Sequence, residues 1–542
     1  MTSSLFPQTT SPAKDLYLLD TDPLADEYRY ASAVLQGLVN RSQPRIFRRC
    51  GAQRDRHSSA VRDWPNDVWR ENLKKKGFRF RSADFFELLE RFRDVIQGAV
   101  LFDRAPQHNV NLVTMLCAQK NALPVTGHMN QALKLPALFD ARNQWPDRFA
   151  AHDWALEHLW PNCHPRILAS VPDFHTNPVD YLVAFKIFTF FYPNWPSRRD
   201  DEYLKRMLML TPPNTPVMGV WDLAYAKAPF DPNYDQERNF IDRVSWAGKF
   251  FTVTHEASNL TIHSGMGRYQ HSPRPATPSA DSLEPRNRIA FVLSEGDNIS
   301  YQMCNMSQVW RDSGRGSVPI TWSLSPAMAE LCPDILQKYR DEASANDDFI
   351  MATSGLGYMF PSHFGLWYGD EQPGVQAELL RLTREYMERL ALDHIAIIDH
   401  PDHEYIAPKH ILRRYARALP RLKSFCCDYP TAYGDLAPEA NYRLEGRVAV
   451  FHAQNRGADC VAELQALSRK LSTPIRLYVF ISGWEAVLGN LKRVTRELEP
   501  DYEAVTLTRL SAAPLESWVA REDEAAYGAL SASRSSPSTL NV

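Results

Sequence analysis

Ser294-Glu295-Gly296-Asp297-Asn298 places two carboxyl groups and an amide within five residues, directly after the apolar run Ile289–Leu293. Similar groups follow other apolar runs in the second half of the chain. Trp322 lies on the second run, with Ser323 and Ser325 at its end. Ser354-Gly355-Leu356-Gly357-Tyr358-Met359-Phe360-Pro361 follows the third, and Asp399-His400-Pro401-Asp402-His403-Glu404 follows the fourth. Asp428-Tyr429, then His452 with Gln454 and Asn455, then Ser482-Gly483-Trp484 follow the fifth to seventh. Carboxylates, amides and aromatic rings on one rim suit a sugar. Its hydroxyls take paired hydrogen bonds, and its C–H faces pack on Trp and Tyr. Two carboxyl groups flanking a glycosidic bond can act as general acid and as base or nucleophile. The candidate catalytic residues are Asp297 and Glu295, with Asp399 as the alternative partner. Asn298, Trp322, Gly355, Gly357, Tyr358, His400 and Trp484 are the candidate substrate-binding residues. The plainer reading is that strand-end Asp and Ser cap the next helix, and that residues 295–298 are only a tight turn.

Other chemistries fit less well. Gly355-Leu356-Gly357 lacks the third glycine of a dinucleotide fingerprint, and Pro361 stands where a helix would start. There is no Walker A sequence and no GxSxG elbow. Asp399, His400 and His403 invite a metal reading, but Pro401 breaks any helix that would align the two histidines. We therefore expect neither metal nor cofactor. A metal-dependent hydrolase or deacetylase built on Asp399, His400 and His403 is one rival reading, and a non-catalytic carbohydrate-binding protein is the other. Asp173-Phe174-His175 and His255-Glu256 read as structural pairs.

The elements that must position these groups follow from hydrophobic patterning. Short apolar runs start at Ile289, Pro319, Phe349, His394, Ser424, Val448, Ile475 and Glu503. Between them, residues 327–342, 375–392, 410–419, 458–471 and 485–498 carry apolar positions at helical spacing. Near-continuous apolar strands alternating with helices predict an α/β fold, here a (β/α)8 TIM-barrel-like domain over residues 289–512. Residues 15–265 predict a separate N-terminal α/β domain. Within it, Tyr181–Tyr192 reads as a core helix. Residues 266–288 are rich in proline and predict a linker or long loop, while residues 1–14 and about 525–542 predict mobile ends, the latter within a partly disordered C-terminal extension over 513–542.

Composition narrows the function class. The 542 residues carry 61 Lys and Arg against 64 Asp and Glu, a formal charge of -3, which argues against a generally basic nucleic-acid binder. No apolar run reaches the about 18 residues of a membrane span. The N-terminus lacks the basic start and apolar middle of a secretory signal, so a cytoplasmic location is expected. The eight cysteines form no CxxC pair and read mostly as buried thiols.

These motifs resemble a known family. Gly355-Leu356-Gly357-Tyr358-Met359-Phe360-Pro361 is similar to the signature of the GxGYxYP family of glycoside hydrolase-like proteins. Gln36-Gly37-Leu38-Val39-Asn40-Arg41 followed by Pro44-Arg45-Ile46, Ser294–Asn298, Thr321-Trp322-Ser323-Leu324-Ser325-Pro326 and Asp180-Tyr181 fit the same pattern, over roughly residues 15–510. The resemblance implies an N-terminal α/β domain joined to a barrel-like domain that cleaves glycosidic bonds. It carries Asp297, Asn298, Gly355, Gly357, Tyr358 and Pro361 over as family positions. Glu295 stands where the family has Asp, and Phe360 replaces its second Tyr. The implied partner is a carbohydrate or glycoconjugate.

Overall fold

The computed structural model describes residues 4–50, 66–105, 108–171, 176–222, 235–270, 286–294, 296–400, 407–427, 441–445, 447–456, 461–470, 476–482, 488–499 and 501–512. It is a mixed α/β protein built on parallel strands. Among the described residues, the first half holds three small parallel sheets. The first contains β1 (Asp15–Asp20), β2 (Ile46–Arg49) and β3 (Arg79–Ser82), with β1 in the centre. The second contains β4 (Gly98–Leu101), β5 (Ala122–Val125) and β6 (Ala137–Asp140), with β4 in the centre. The third contains β7 (Leu168–Ser170), β8 (Phe188–Phe190), β9 (Pro216–Gly219) and β10 (Phe250–Val253), in the order β10-β9-β7-β8. That order leaves β10 on an edge, facing the second half of the chain.

The second half forms a closed sheet. Its strands are β11 (Arg288–Ser294), β12 (Ile320–Leu324), β13 (Asp347–Met351), β14 (His394–Ile397), β15 (Ser424–Cys427), β16 (Tyr442–Leu444), β17 (Val448–Arg456), β18 (Arg476–Ser482) and β19 (Glu503–Ala504). β11 pairs with β18 along its whole length and with β12 through Phe291–Leu293. The path through β12, β13, β14, β15, β17 and β18 therefore returns to its start. All the strands of this ring run parallel, and β16 is an antiparallel addition on β17. The eight-stranded barrel expected from the apolar runs thus takes a different form: seven full strands and a two-residue eighth. β19 pairs only with Arg288 and Ile289 of β11, and Leu507 N then donates to Thr321 Oγ1 on β12. The chain stops being a strand there because Leu507 and Leu510 fall on one face of a helix, Leu507–Ala512. Both leucines join the inner apolar cluster of Ala290, Val292, Ile350, Ala396, Cys426, Ala449 and Phe451. Small residues dominate this interior, as a narrow ring of inward-pointing side chains requires.

Two expectations are corrected. Tyr181–Tyr192 is not one helix: Val179–Ala184 is helical, Lys186 turns the chain with φ 51°, and Phe188–Phe190 becomes β8. Aromatic and β-branched residues after Lys186 favour the strand, which pairs with β7. The N-terminal segment is strapped down rather than mobile from Ser4 on. Leu5 and Phe6 are buried, and their N–H groups donate to Glu330 Oε2 at 2.9 and 2.8 Å. The greater part of the predicted linker, and residues 513–542, lie outside the described residues. Of the seven cysteines described, all but Cys163 are buried. Among the described residues no helix is long and apolar enough to cross a membrane.

The N-terminal motif residues build a buried polar knot. Asn40 Oδ1 accepts from Arg45 N and Ile46 N, while its Nδ2 donates to Ile46 O and Thr261 Oγ1, all at 2.8–3.0 Å. Thr261 in turn donates to Asp180 Oδ2 through N and Oγ1. Gly37 lets the helix Asp26–Asn40 touch the helix Val179–Ala184: a Cβ there would meet Asp180 O at 2.6 Å. Asn40→Ala should lower stability by about 2–4 kcal/mol, because it strands several buried partners at once. A urea midpoint equal to that of the wild type would show that the knot carries no load.

Candidate active site

The signature segment is held by the other half of the chain. Tyr358 N donates to Phe251 O and Phe251 N donates to Tyr358 O, both at 2.9 Å, an antiparallel bridge onto the edge strand β10. Gly357 makes this approach possible, since a Cβ there would meet Phe251 O at 2.8 Å and Phe250 Cδ2 at 3.0 Å. Gly355 has φ +120° and packs on Thr383. On their Cβ sides, the glycines therefore admit protein backbone and side chain, where the sequence suggested a ligand.

The helix Gln236–Trp246 runs beside this segment. Phe360 N donates to Ser245 Oγ at 2.9 Å, and Gly365 N donates to Ser245 O at 2.8 Å. Near the helix start, Glu237 accepts a hydrogen bond from the Tyr358 side chain and faces Asp297. Burial, then the negative charges of Asp297 and Asp235, push the Glu237 carboxyl up to about 8; the Tyr358 hydrogen bond and the Arg238 charge oppose them. Asp297 itself is partly exposed and stands just before the short helix Asn298–Met303. The Tyr358 ring lies over the same turn, since a Cβ on Gly296 would touch it at 3.3 Å. Two carboxyl groups from opposite halves thus share a site with one phenol.

Glu237 is absent from the sequence reading. It sits in the polar first turn of an amphipathic helix, where a carboxylate is ordinarily solvated and favoured by the helix dipole. Ser362 and His363, which follow the signature, are absent from that reading as well.

Those residues form a second cluster. His363 Nδ1 hydrogen-bonds Asp242 Oδ1 at 2.6 Å, and His400 Nε2 lies 3.8 Å from Asp242 Oδ2. The two imidazoles sit 4.4 Å apart between ring centres, and one ligand atom from each of the three residues lies within 4.8 Å of the others. Trp246 Nε1 lies 3.3 Å from His363 Nδ1, and Trp367 packs edge-on to Trp246. Phe360 links the clusters, with its ring 6.2 Å from Tyr358 and 5.5 Å from His400. Asp399 is fully buried. Its Oδ1 accepts from Ser362 Oγ at 2.6 Å and from His400 N at 2.8 Å, so it holds these loops together and its Oδ1 is engaged by protein. His400 meets Asp242 and His363; His403, the third residue of the expected metal set, lies outside the described residues.

Other candidates are corrected. Trp322 is fully buried, donates to Asp347 Oδ1 and packs on Trp310, so its ring offers no face to a sugar. Asn298 is also fully buried; its Nδ2 donates to Gly296 O at 2.5 Å and to Phe251 O at 3.4 Å, fixing the turn instead of a substrate. Glu295 and Trp484 lie outside the described residues, as do Asp173 and His175. His255 and Glu256 stand near the turn, where Ser300 Oγ lies 3.3 Å from His255 Nδ1 and accepts from Glu256 N at 3.2 Å. His452 is buried, and burial with the Lys409 charge pushes it down to about 4, so it is neutral at physiological pH.

Three stretches of the chain match family models. Residues 287–513 match the family described as "GxGYxYP putative glycoside hydrolase C-terminal domain", residues 96–163 match "GxGYxYP_N second domain", and residues 166–265 match "GxGYxYP third domain". No curated protein matches the sequence. A solved structure titled "Crystal structure of a putative hydrolase from Bacteroides thetaiotaomicron VPI-5482" is 19% identical. The match covers 94% of this chain and 96% of that one with a TM-score of 0.77, a likeness of fold.

Gly357→Ala tests the bridge. It should lower the melting temperature by several degrees, the consequence of about 1–3 kcal/mol of overpacking against Phe251. An unshifted melting temperature would mean that the loop accepts a methyl group without leaving β10.

Proposed function

The chain belongs to the GxGYxYP family, and from that premise we propose that it hydrolyses a glycosidic bond between Glu237 and Asp297. The supporting observation is the pair itself. The Glu237 carboxyl is pushed up to about 8, in part by the charge of Asp297, which is partly exposed. Pairs of acids with separated titration are what glycoside hydrolysis uses. Glu237, protonated at neutral pH, donates its proton to the leaving oxygen. Asp297 acts on the anomeric carbon, directly or through water. Tyr358 orients the acid. The partly exposed ring pair Trp246 and Trp367 offers the stacking surface that Trp322 does not. A carbohydrate or glycoconjugate is the substrate class.

With an acid of this kind, kcat/KM should hold at neutral pH and fall as pH rises through about 8, because the proton to be donated is then lost. Glu237→Gln should abolish that fall and reduce turnover by about 10²–10⁴-fold on whichever glycan of a panel the wild type cleaves. Tyr358→Phe removes a group that favours the charged form, so the fall should move to higher pH. A Tyr358→Phe profile superimposable on the wild type would contradict the assignment. Wild-type protein that binds glycans from the panel and cleaves none would favour a binding protein instead.

The same pair predicts a stability effect that needs no substrate. A carboxyl whose folded value lies above its ordinary value of 4.5 stabilises fully below that value and loses the contribution as pH rises through about 8. The melting temperature of Glu237→Gln should therefore gain on the wild type progressively across this window. Parallel melting curves from pH 5 to 9 would show that Glu237 titrates normally.

A further inference from the structure

We propose that Asp242, His363 and His400 form a binding site for a divalent transition metal of the zinc class. The three residues come from segments far apart in sequence: the helix Gln236–Trp246, the turn Pro361–His363 after the signature, and the loop after β14. Their ligand atoms nevertheless converge within 4.8 Å. Two imidazoles and one carboxylate are a donor set that suits zinc and its first-row neighbours, and poorly suits magnesium or calcium.

The geometry is near what an ion needs. Tetrahedral ligands with bonds of about 2.0–2.1 Å stand about 3.3 Å apart. One ligand atom from each of the three residues already lies within 4.8 Å of the others, so the widest separation must close by no more than about 1.5 Å. The Asp242 side chain is 5% exposed, whereas His363 and His400 are 17% and 16% exposed. The carboxylate thus sits at the base and the imidazoles form the open side, which leaves a fourth position for water.

The surroundings hold the ligands in place. Asp399 Oδ1 binds the backbone N–H of His400 and both polar groups of Ser362, the neighbour of His363. One buried carboxylate therefore fixes the two histidine-bearing loops relative to each other, the task that outer-sphere groups perform at metal sites. Phe360 packs on the His400 ring, and Trp246 contacts His363. The proposal stands apart from the carboxyl-pair reading, since it requires neither Glu237 nor Asp297.

The test is zinc binding by the full chain. Protein stripped with a chelator and dialysed should bind one Zn²⁺ per chain in calorimetry, and zinc should raise its melting temperature. Co²⁺ in its place should give the visible absorption of a four- or five-coordinate site. His363→Ala and His400→Gln should each weaken zinc at least 100-fold. Asp399→Asn should weaken it about 10-fold through misplaced loops. Glu237→Gln should bind zinc as the wild type does even if it hydrolyses nothing, which separates the two proposals. Absence of stoichiometric zinc binding by the wild type would overturn the site, whatever the variants do. So would full binding by both histidine variants.

Discussion

Two hydrogen bonds between Phe251 and Tyr358 decide where the chemistry of this protein can sit. β10 is an edge strand, so its outer N–H and C=O groups must find partners or remain in water. The signature segment supplies them, and Gly357 is the residue that lets it come close enough. Once the bridge forms, the Tyr358 ring has little freedom. It lies over the turn at Gly296, and its hydroxyl meets Glu237. The bridge also draws Asn298 in, since the Asn298 side chain reaches the same Phe251 carbonyl. The two halves of the chain are thus joined at the place where their carboxyl groups meet. Their apolar cores are joined as well: Tyr358, Phe360 and Ile398 pack within the cluster of the first half, and Phe250 packs within that of the second.

The electrostatic consequence is a deliberate conflict. A partly covered carboxyl beside another carboxyl is unfavourable when both are ionised, and an isolated half would not keep such a pair. Here the conflict arises only when the halves associate, because Glu237 and Asp297 come from different ones. The Tyr358 hydroxyl and Arg238 offset part of it, which keeps the acid within reach of physiological pH. Stability is given up locally, and the surrounding packing sustains it.

Much of the framework was legible in the sequence. All eight apolar runs of the second half became strands, because a strand buried on both faces must be continuously apolar. What eluded reading were the contacts between distant segments. Trp322 follows a strand pattern that cannot distinguish the inside of the ring from its outer, helix-covered side, and it lies buried against Trp310. Asn298 looked like a ligand because it follows a strand, yet its amide nitrogen is turned to the Gly296 carbonyl and to β10. Glu237 gave no signal, since nothing local separates a helix-start carboxylate in water from one covered by another domain. Lys186 hid a helix-to-strand change inside a uniformly apolar stretch. The eighth strand was legible in place but not in length, which depends on how much room β11 and β12 leave at their lower ends.

The helix Gln236–Trp246 explains why the two clusters are adjacent yet separate. Glu237 and Asp242 are five residues apart, about 7.5 Å along the axis and about 140° around it, so they cannot serve one small ligand atom together. The signature segment runs alongside the helix and offers each a different partner: Tyr358 to Glu237, and His363 to Asp242. Ser245 and Trp246 complete the register by binding Phe360 N, Gly365 N and His363. A shift of the segment by one residue would turn every one of these side chains away from its partner. The pairing of helix and segment is therefore set by several contacts at once, and the polar groups at either end inherit their positions from it.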